Sequence, residues 1–155
     1  NDFVAFGQTV ISVDPNLYGD GILYRNWHLK DVVWCENSEL VINYIQRKWC
    51  LEAIELTRIF PKTAHASVKT AASKEPYKEI KCRHIDVPSD QYDYSYQADD
   101  EGRTRKDYPF VSIYVDTENE TILEELPVLG IDYVIPRWMT MSGSPYAFSP
   151  GAIIA

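Results

Sequence analysis

The residue types best suited to nucleophilic chemistry are three cysteines, Cys35, Cys50 and Cys82, and three histidines, His28, His65 and His84. A thiol is activated by a base within hydrogen-bond reach, so Cys50 or Cys82 with His84 is the pair to weigh. Ile80, Cys82 and His84 recur every second residue in "IKCRHI". In a strand that spacing puts all three on one face, and their company makes it a core face. The spacing therefore favours a packed histidine. A cysteine-dependent hydrolase is the catalytic alternative, and it requires a thiol that reacts in the folded protein. His28 and His65 have no acid or cysteine at useful spacing. There is no H-x-x-x-H and no C-x-x-C pair, so neither a metal site nor a disulfide framework is expected. The cysteines read as small buried thiols in a reducing compartment.

Other chemistries find no foothold. The chain has no G-x-G-x-x-G, no Walker loop and no G-x-S-x-G, so no cofactor is expected. The serines of "SGSPYAFSP" sit in a turn without the strand–Ser–helix setting of a nucleophile elbow. Asp90, Asp93, Asp99, Asp100 and Glu101 lack the alternating order of a calcium loop, and read as a solvated acidic segment. Tyr92, Tyr94 and Tyr96 alternate with polar residues and could line a strand or a partner contact. Asn119-Glu120-Thr121 matches a glycosylation sequon, a pattern common by chance.

The elements that must position these residues read as α+β. "QTVISVD" (8–14) is a strand ended by Pro15, and "NLYGDG" is a turn. "ILYRNWHL" and "VVW" are further strands, and "ELVINYIQRKW" is the longest, apolar on both faces as a central strand is. The period then changes. In "LEAIELTRIF", Ala53, Leu56 and Phe60 share a helical face with Ile59 beside it, and Pro61 ends the helix. Thr63 is the candidate cap of a second helix, "AHASVKTAASK". "KEIKCRHIDV" returns to strand. Residues 88–108 carry no periodicity and many acids, as an exposed loop or insertion does. In "FVSIYV", Val111, Ile113 and Val115 face one way and Phe110, Ser112 and Tyr114 the other, a half-buried strand. "DTENE" turns it into "TILEEL", and "IDYVI" is the last strand before "PRWMTMSGSPYAFSP". The expected fold is a mostly antiparallel sheet of six to eight strands with a short inserted helical pair.

Composition sets the outer limits. The 155 residues fit one ordinary domain, 45% are hydrophobic and 13% aromatic, so a core can be buried. The formal charge of -8 argues against a basic face that grips phosphates. No apolar run approaches the roughly 20 residues that span a bilayer, so no membrane is expected as a partner. The opening "NDFVAFG" has no starting Met, and both ends read as cuts through a longer chain.

At "IPRWMTMSGSPYAFSP" the chain resembles the head-to-tail connecting (portal) proteins of short-tailed bacteriophages. Pro136, Arg137, Trp138, Gly143, Tyr146, Ser149 and Pro150 follow that family's order, a strand ending in Pro-Arg-Trp, a Gly/Glu-containing loop, then Tyr-Gly-x-Ser-Pro opening a helix. Ala147 stands where the family has glycine, and Phe148 where it often has arginine. "DFVAFGQTVISVD" is similar to its helix ending at Phe-Gly, through Phe6 and Gly7, with Thr9 in place of a second glycine. "YIQRKWCLEAIELTRIF" is similar through Arg47 and Phe60, with Glu52 replacing a threonine cap. "YPFVSIYVDTENETILEEL" resembles the late hairpin. The resemblance spans nearly the whole chain in order, outside 88–108.

The resemblance implies a structural virion protein and no enzyme. It implies a wing-region fragment of a subunit that forms a dodecameric ring at one capsid vertex. Double-stranded DNA would pass through the ring's channel in packaging and ejection, without sequence-specific contact. The implied partners are further copies of itself, the capsid protein, a transient terminase and a tail adaptor. The protein would assemble in the host cytoplasm and reside in the virion. Another virion or adaptor module with no conduit role is the alternative. Arg137 and Trp138 are expected to fix the turn, the arginine stacking on a ring or donating to nearby carbonyls, or else to meet a neighbouring subunit.

Overall fold

The computed structural model describes residues 2–16, 19–93, 107–141 and 143–154. The chain divides into two compact units, residues 1–43 with 131–155 and residues 44–130.

In the first unit, helix α1 (Asp2–Phe6) stops at Gly7 and the chain enters strand β1 (Val10–Pro15). Strand β2 (Ile22–Trp27) pairs antiparallel with β1, and strand β8 (Tyr133–Val134) pairs with its other edge. The Trp27 indole donates to the Ser12 hydroxyl across this ladder at 2.9 Å. Strand β3 (Val32–Glu36) leads to a turn in which the Asn37 side chain accepts from the Glu39 and Val41 amides. That turn passes the chain into β4. After β8, the short strands β9 (Met139–Thr140) and β10 (Ala147–Phe148) pair, and helix α4 (Pro150–Ile154) begins.

The second unit carries strand β4 (Ile42–Glu52) from Tyr44 onward, with β5 (Glu79–Pro88), β6 (Phe110–Asp116) and β7 (Thr121–Val128), each antiparallel to the next. Helices α2 (Ala53–Ile59) and α3 (Ala66–Lys74) are inserted between β4 and β5. Their apolar side chains Ala53, Leu56, Phe60 and Val68 pack with Ile80, Cys82 and Leu123 into one buried cluster. A second cluster, Val87, Val111 and Ile113 with Tyr44, Ile85 and Tyr92, lies on the opposite face of the sheet.

The α+β class and the inserted helical pair hold, and several local expectations change. The strands form separate sheets instead of one. Thr63 does not cap α3, because its hydroxyl donates to the Leu123 carbonyl at 2.5 Å. His65 caps it instead, its Nδ1 accepting from the Ser67 amide. Ile59 lies on the open side of α2. Strand β6 is not half-buried in its first part, since Ser112 is buried along with Val111 and Ile113. Two of the three cysteines, Cys35 and Cys50, are exposed, because Cys35 alternates with buried Trp34 and Cys50 with the partly buried Trp49 and Leu51 of the opposite face. Within the expected loop, Pro88 ends β5 and Tyr108 is buried. Tyr94, Tyr96, Asp99, Asp100 and Glu101 lie outside the described residues.

Candidate functional site: a terminal joint and a buried polar face

The joint belongs to the first unit and is organised by a glycine. Gly7 takes φ +72°, and its amide donates to the Phe3 carbonyl at 2.9 Å, closing α1 as left-handed C-cap residues do. A Cβ on Gly7 would stand 2.3 Å from the Phe148 carbonyl oxygen and 2.8 Å from the Ser149 nitrogen. The terminal segment therefore runs backbone against backbone at this point, an approach only glycine admits. The Gly7 carbonyl accepts from the Trp138 amide at 2.7 Å, and Gln8 forms an isolated bridge with Arg137. The buried Gln8 side chain accepts from the Ala147 amide at 2.7 Å.

Arg137 follows the bridge and turns inward. Its Nη1 donates to the Pro145 carbonyl at 3.0 Å and to the Glu36 carboxylate, forming an ion pair in which neither side chain is more than 18% exposed. The Trp34 indole donates to the same Pro145 oxygen at 3.0 Å, using both of its lone pairs. The Trp34 and Tyr146 rings meet at 4.8 Å. Ser149 then opens α4, its buried hydroxyl accepting from the Ala152 amide at 3.1 Å, with Pro150 as the first helical residue. Trp138 is 58% exposed and meets Phe3 edge-on. Beside the ion pair, Cys35, Glu36, Leu40, Gly143 and Pro145 line a cleft of about 300 Å³. It holds no histidine to act as a base.

Of the residues singled out in the sequence, Gly7, Pro136, Arg137, Trp138, Tyr146, Ser149 and Pro150 converge here. Phe6 is the last residue of α1 and is half-exposed, and Gly143 takes φ +89° in a turn with open space around it. Arg47 and Phe60 belong to the second unit. Arg137 donates to a carbonyl as expected, whereas its charge partner is a carboxylate. Gln8, Trp34 and Glu36 were not anticipated. A polar residue directly behind a capping glycine was the one local signal, and it concerned Gln8 alone.

The polar face belongs to the second unit. Arg47 on β4, His84 and Asp86 on β5 and Ser112 on β6 are all buried on the sheet face that carries α2 and α3. Ser112 Oγ lies 2.6 Å from His84 Nε2, and Asp86 Oδ1 lies 3.2 Å from that same nitrogen. A Ser-His-Asp triad needs its acid and its serine on opposite ring nitrogens. Here both converge on one, beneath a Tyr114 ring stacked on the imidazole at 4.1 Å. The Arg47 guanidinium lies 5.0 Å from the Trp49 ring centre, a cation–π contact. The arrangement supports packing and not acyl transfer.

The thiols do not supply a nucleophile to this face. Burial, helped by the nearby Asp116 carboxylate, pushes the Cys82 thiol up to about 12. Cys50 is opposite Lys81 on the ladder and points to the other side of the sheet from His84. Glu124 is raised by burial, with His84 opposing the shift. Asp116, fully buried, accepts from the Glu118 and Asn119 amides and from the Asn119 side chain, and so builds the β6–β7 turn. Among the described residues no group of three or more His, Cys, Asp or Glu could hold a metal ion, and no helix is long and apolar enough to cross a membrane.

A family model described as bacteriophage head to tail connecting protein matches residues 1–154. No curated protein matches the chain.

Proposed function

The chain belongs to the bacteriophage head-to-tail connecting protein family, and from that premise we propose how it serves the particle. The family is structural, so the protein is a connector component of the virion and not an enzyme. Our reading is that it forms the wing region of a portal subunit in a short-tailed phage. Twelve copies close a ring at one capsid vertex, and double-stranded DNA passes through the axial channel. The ring meets the capsid protein and a tail adaptor, and transiently a terminase that drives packaging. Arg137 and Trp138 act as structural residues of the subunit.

The observation that carries this reading is the joint. Gly7, Gln8, Glu36 and Arg137 bind backbone and side-chain groups of the segment 136–149, so the path into α4 is held at several points. A structural subunit that bears load along its chain needs such a fixed exit. The charge of -8 supports a conduit role, since a lining that repels or barely contacts phosphate lets the duplex slide. Exposed apolar side chains in the first unit, among them Ile22, Tyr24, Val134 and Trp138, suit contacts with other subunits.

Electron microscopy of the assembled protein tests the reading. Twelve-fold rings with an axial channel are expected, and a strictly monomeric protein overturns it. An Arg137→Ala protein that assembles and packages DNA normally would remove the joint from the mechanism.

A further inference from the structure

We infer that the exposed face of β4 and β5 docks a second copy of this chain, related by a two-fold axis lying across the strands at the Cys50–Lys81 pair. The register places Glu52 opposite Glu79, Cys50 opposite Lys81, and Lys48 opposite Arg83. These residues share the face turned away from Cys82 and His84. Arg83 is half-buried and the other five are exposed. Like charges directly opposite one another destabilise a sheet. Here two such pairs of opposite sign stand on one ladder. None of the five charged side chains forms an ion pair among the described residues. The other end of the same face is covered, because Tyr92 packs with Val87, Val111 and Ile113. The charged end is left open.

The pattern is self-complementary in one orientation. Successive rows on one face are about 7 Å apart, twice the strand rise. Turning a second copy about an axis across the strands, at the middle row, sets its Lys48 and Arg83 over Glu52 and Glu79. The reciprocal pairs form by symmetry, as an isologous contact requires. An axis along the strands would instead set glutamate against glutamate. Lys81 meets its own copy with the partner's Glu row one step away, and Cys50 faces Cys50. The face concentrates three cations in a chain of net charge -8, where two copies must approach against their mutual repulsion. The contact goes beyond ring formation, which joins two different patches of neighbouring subunits.

The test uses the full chain with Cys35→Ser, leaving Cys50 as the exposed thiol and Cys82 buried. Because packed sheet faces stand about 10 Å apart, beyond the reach of a disulfide, a short bismaleimide should give a cross-linked dimer that Cys50→Ser abolishes. Sedimentation should show that reversible dimer weakening as salt rises. K48E/R83E should lower dimer formation by about tenfold or more, since several ion pairs act together. E52K/E79K should do the same. The four-fold variant K48E/R83E/E52K/E79K should restore it, because the pattern is inverted but still complementary. A dimer indifferent to salt and charge reversal, a four-fold variant that stays monomeric while folded, or no Cys50 cross-link overturns the inference. If a double variant misfolds, the salt series and the cross-link of the Cys35→Ser chain decide. Rings that persist in K48E/R83E leave the ring reading intact whichever way the dimer behaves.

Discussion

In residues 44–130 two short helices press Leu56, Phe60 and Val68 onto Ile80, Cys82 and Leu123, and all six side chains are buried. In residues 1–43 with 131–155, Val10, Val32 and Trp34 are the buried apolar side chains among the described residues. Val4, Ile22, Tyr24, Val134, Trp138 and Met141 there are each more than half exposed. The first unit relies on directed contacts in their place: a glycine cap, a buried glutamine, an ion pair and one carbonyl that accepts twice. Area burial tolerates small changes of shape, whereas directed contacts specify a path. The difference fits a subunit in which one unit supplies stability and the other supplies a fixed route and surfaces for partners.

The largest effect expected from that contrast lies in the helical cluster. Leu56→Ala removes a fully buried side chain and should cost about 2–5 kcal/mol in urea unfolding. A cost below about 1 kcal/mol would break the comparison, because the second unit would then not rest on its core.

Gly7→Ala comes next, at about 1–3 kcal/mol for forcing a side chain into a left-handed backbone position against other main chain. Its signature is local. Hydrogen exchange should quicken at the Trp138 and Ala147 amides, which are bonded to Gly7 and Gln8, and stay unchanged in β5. Arg137→Ala should cost about 1–3 kcal/mol by leaving Glu36 without its partner and Pro145 with one donor. Arg137→Lys keeps the charge and should recover part of the loss. Equal melting of all three variants with unchanged exchange at Trp138 would show that the joint adds nothing to the first unit.

Which of these parts could be read from the sequence follows from how far apart the partners lie. Ile80, Cys82 and His84 announce their common face because the strand period is two. Ala53, Leu56 and Phe60 announce theirs because a helix turn brings them together. The end of α1 was legible through Phe6 and Gly7. Thr63 was misread because its acceptor, the Leu123 carbonyl, is 60 residues away and outcompetes a local cap. Glu36 and Arg137 are 101 residues apart, and Trp34 and Pro145 are 111 apart, so nothing local marks either pair. The exposed cysteines escaped because strand alternation decides their side, and composition does not report phase.

The smallest effect separates the thiols and is silent near neutral pH. Cys82 is held at about 12 in the folded chain against an ordinary value of 9.0, chiefly by burial. The folded state thus keeps its proton where the unfolded state gives it up. The resulting stabilisation is whole below pH 9 and is lost as pH rises from about 9 to about 12. A melting series across that window should show a fall that Cys82→Ala reduces, with the two proteins running parallel below pH 9. At pH 8 a disulfide-exchange reagent should modify Cys35 and Cys50 in the folded protein, and Cys82 only after unfolding. Rapid modification of Cys82 in the folded chain would mean that the cluster beneath α2 and α3 opens readily. The second unit would then hold its shape no more firmly than the first, and the contrast between them would fail at the core.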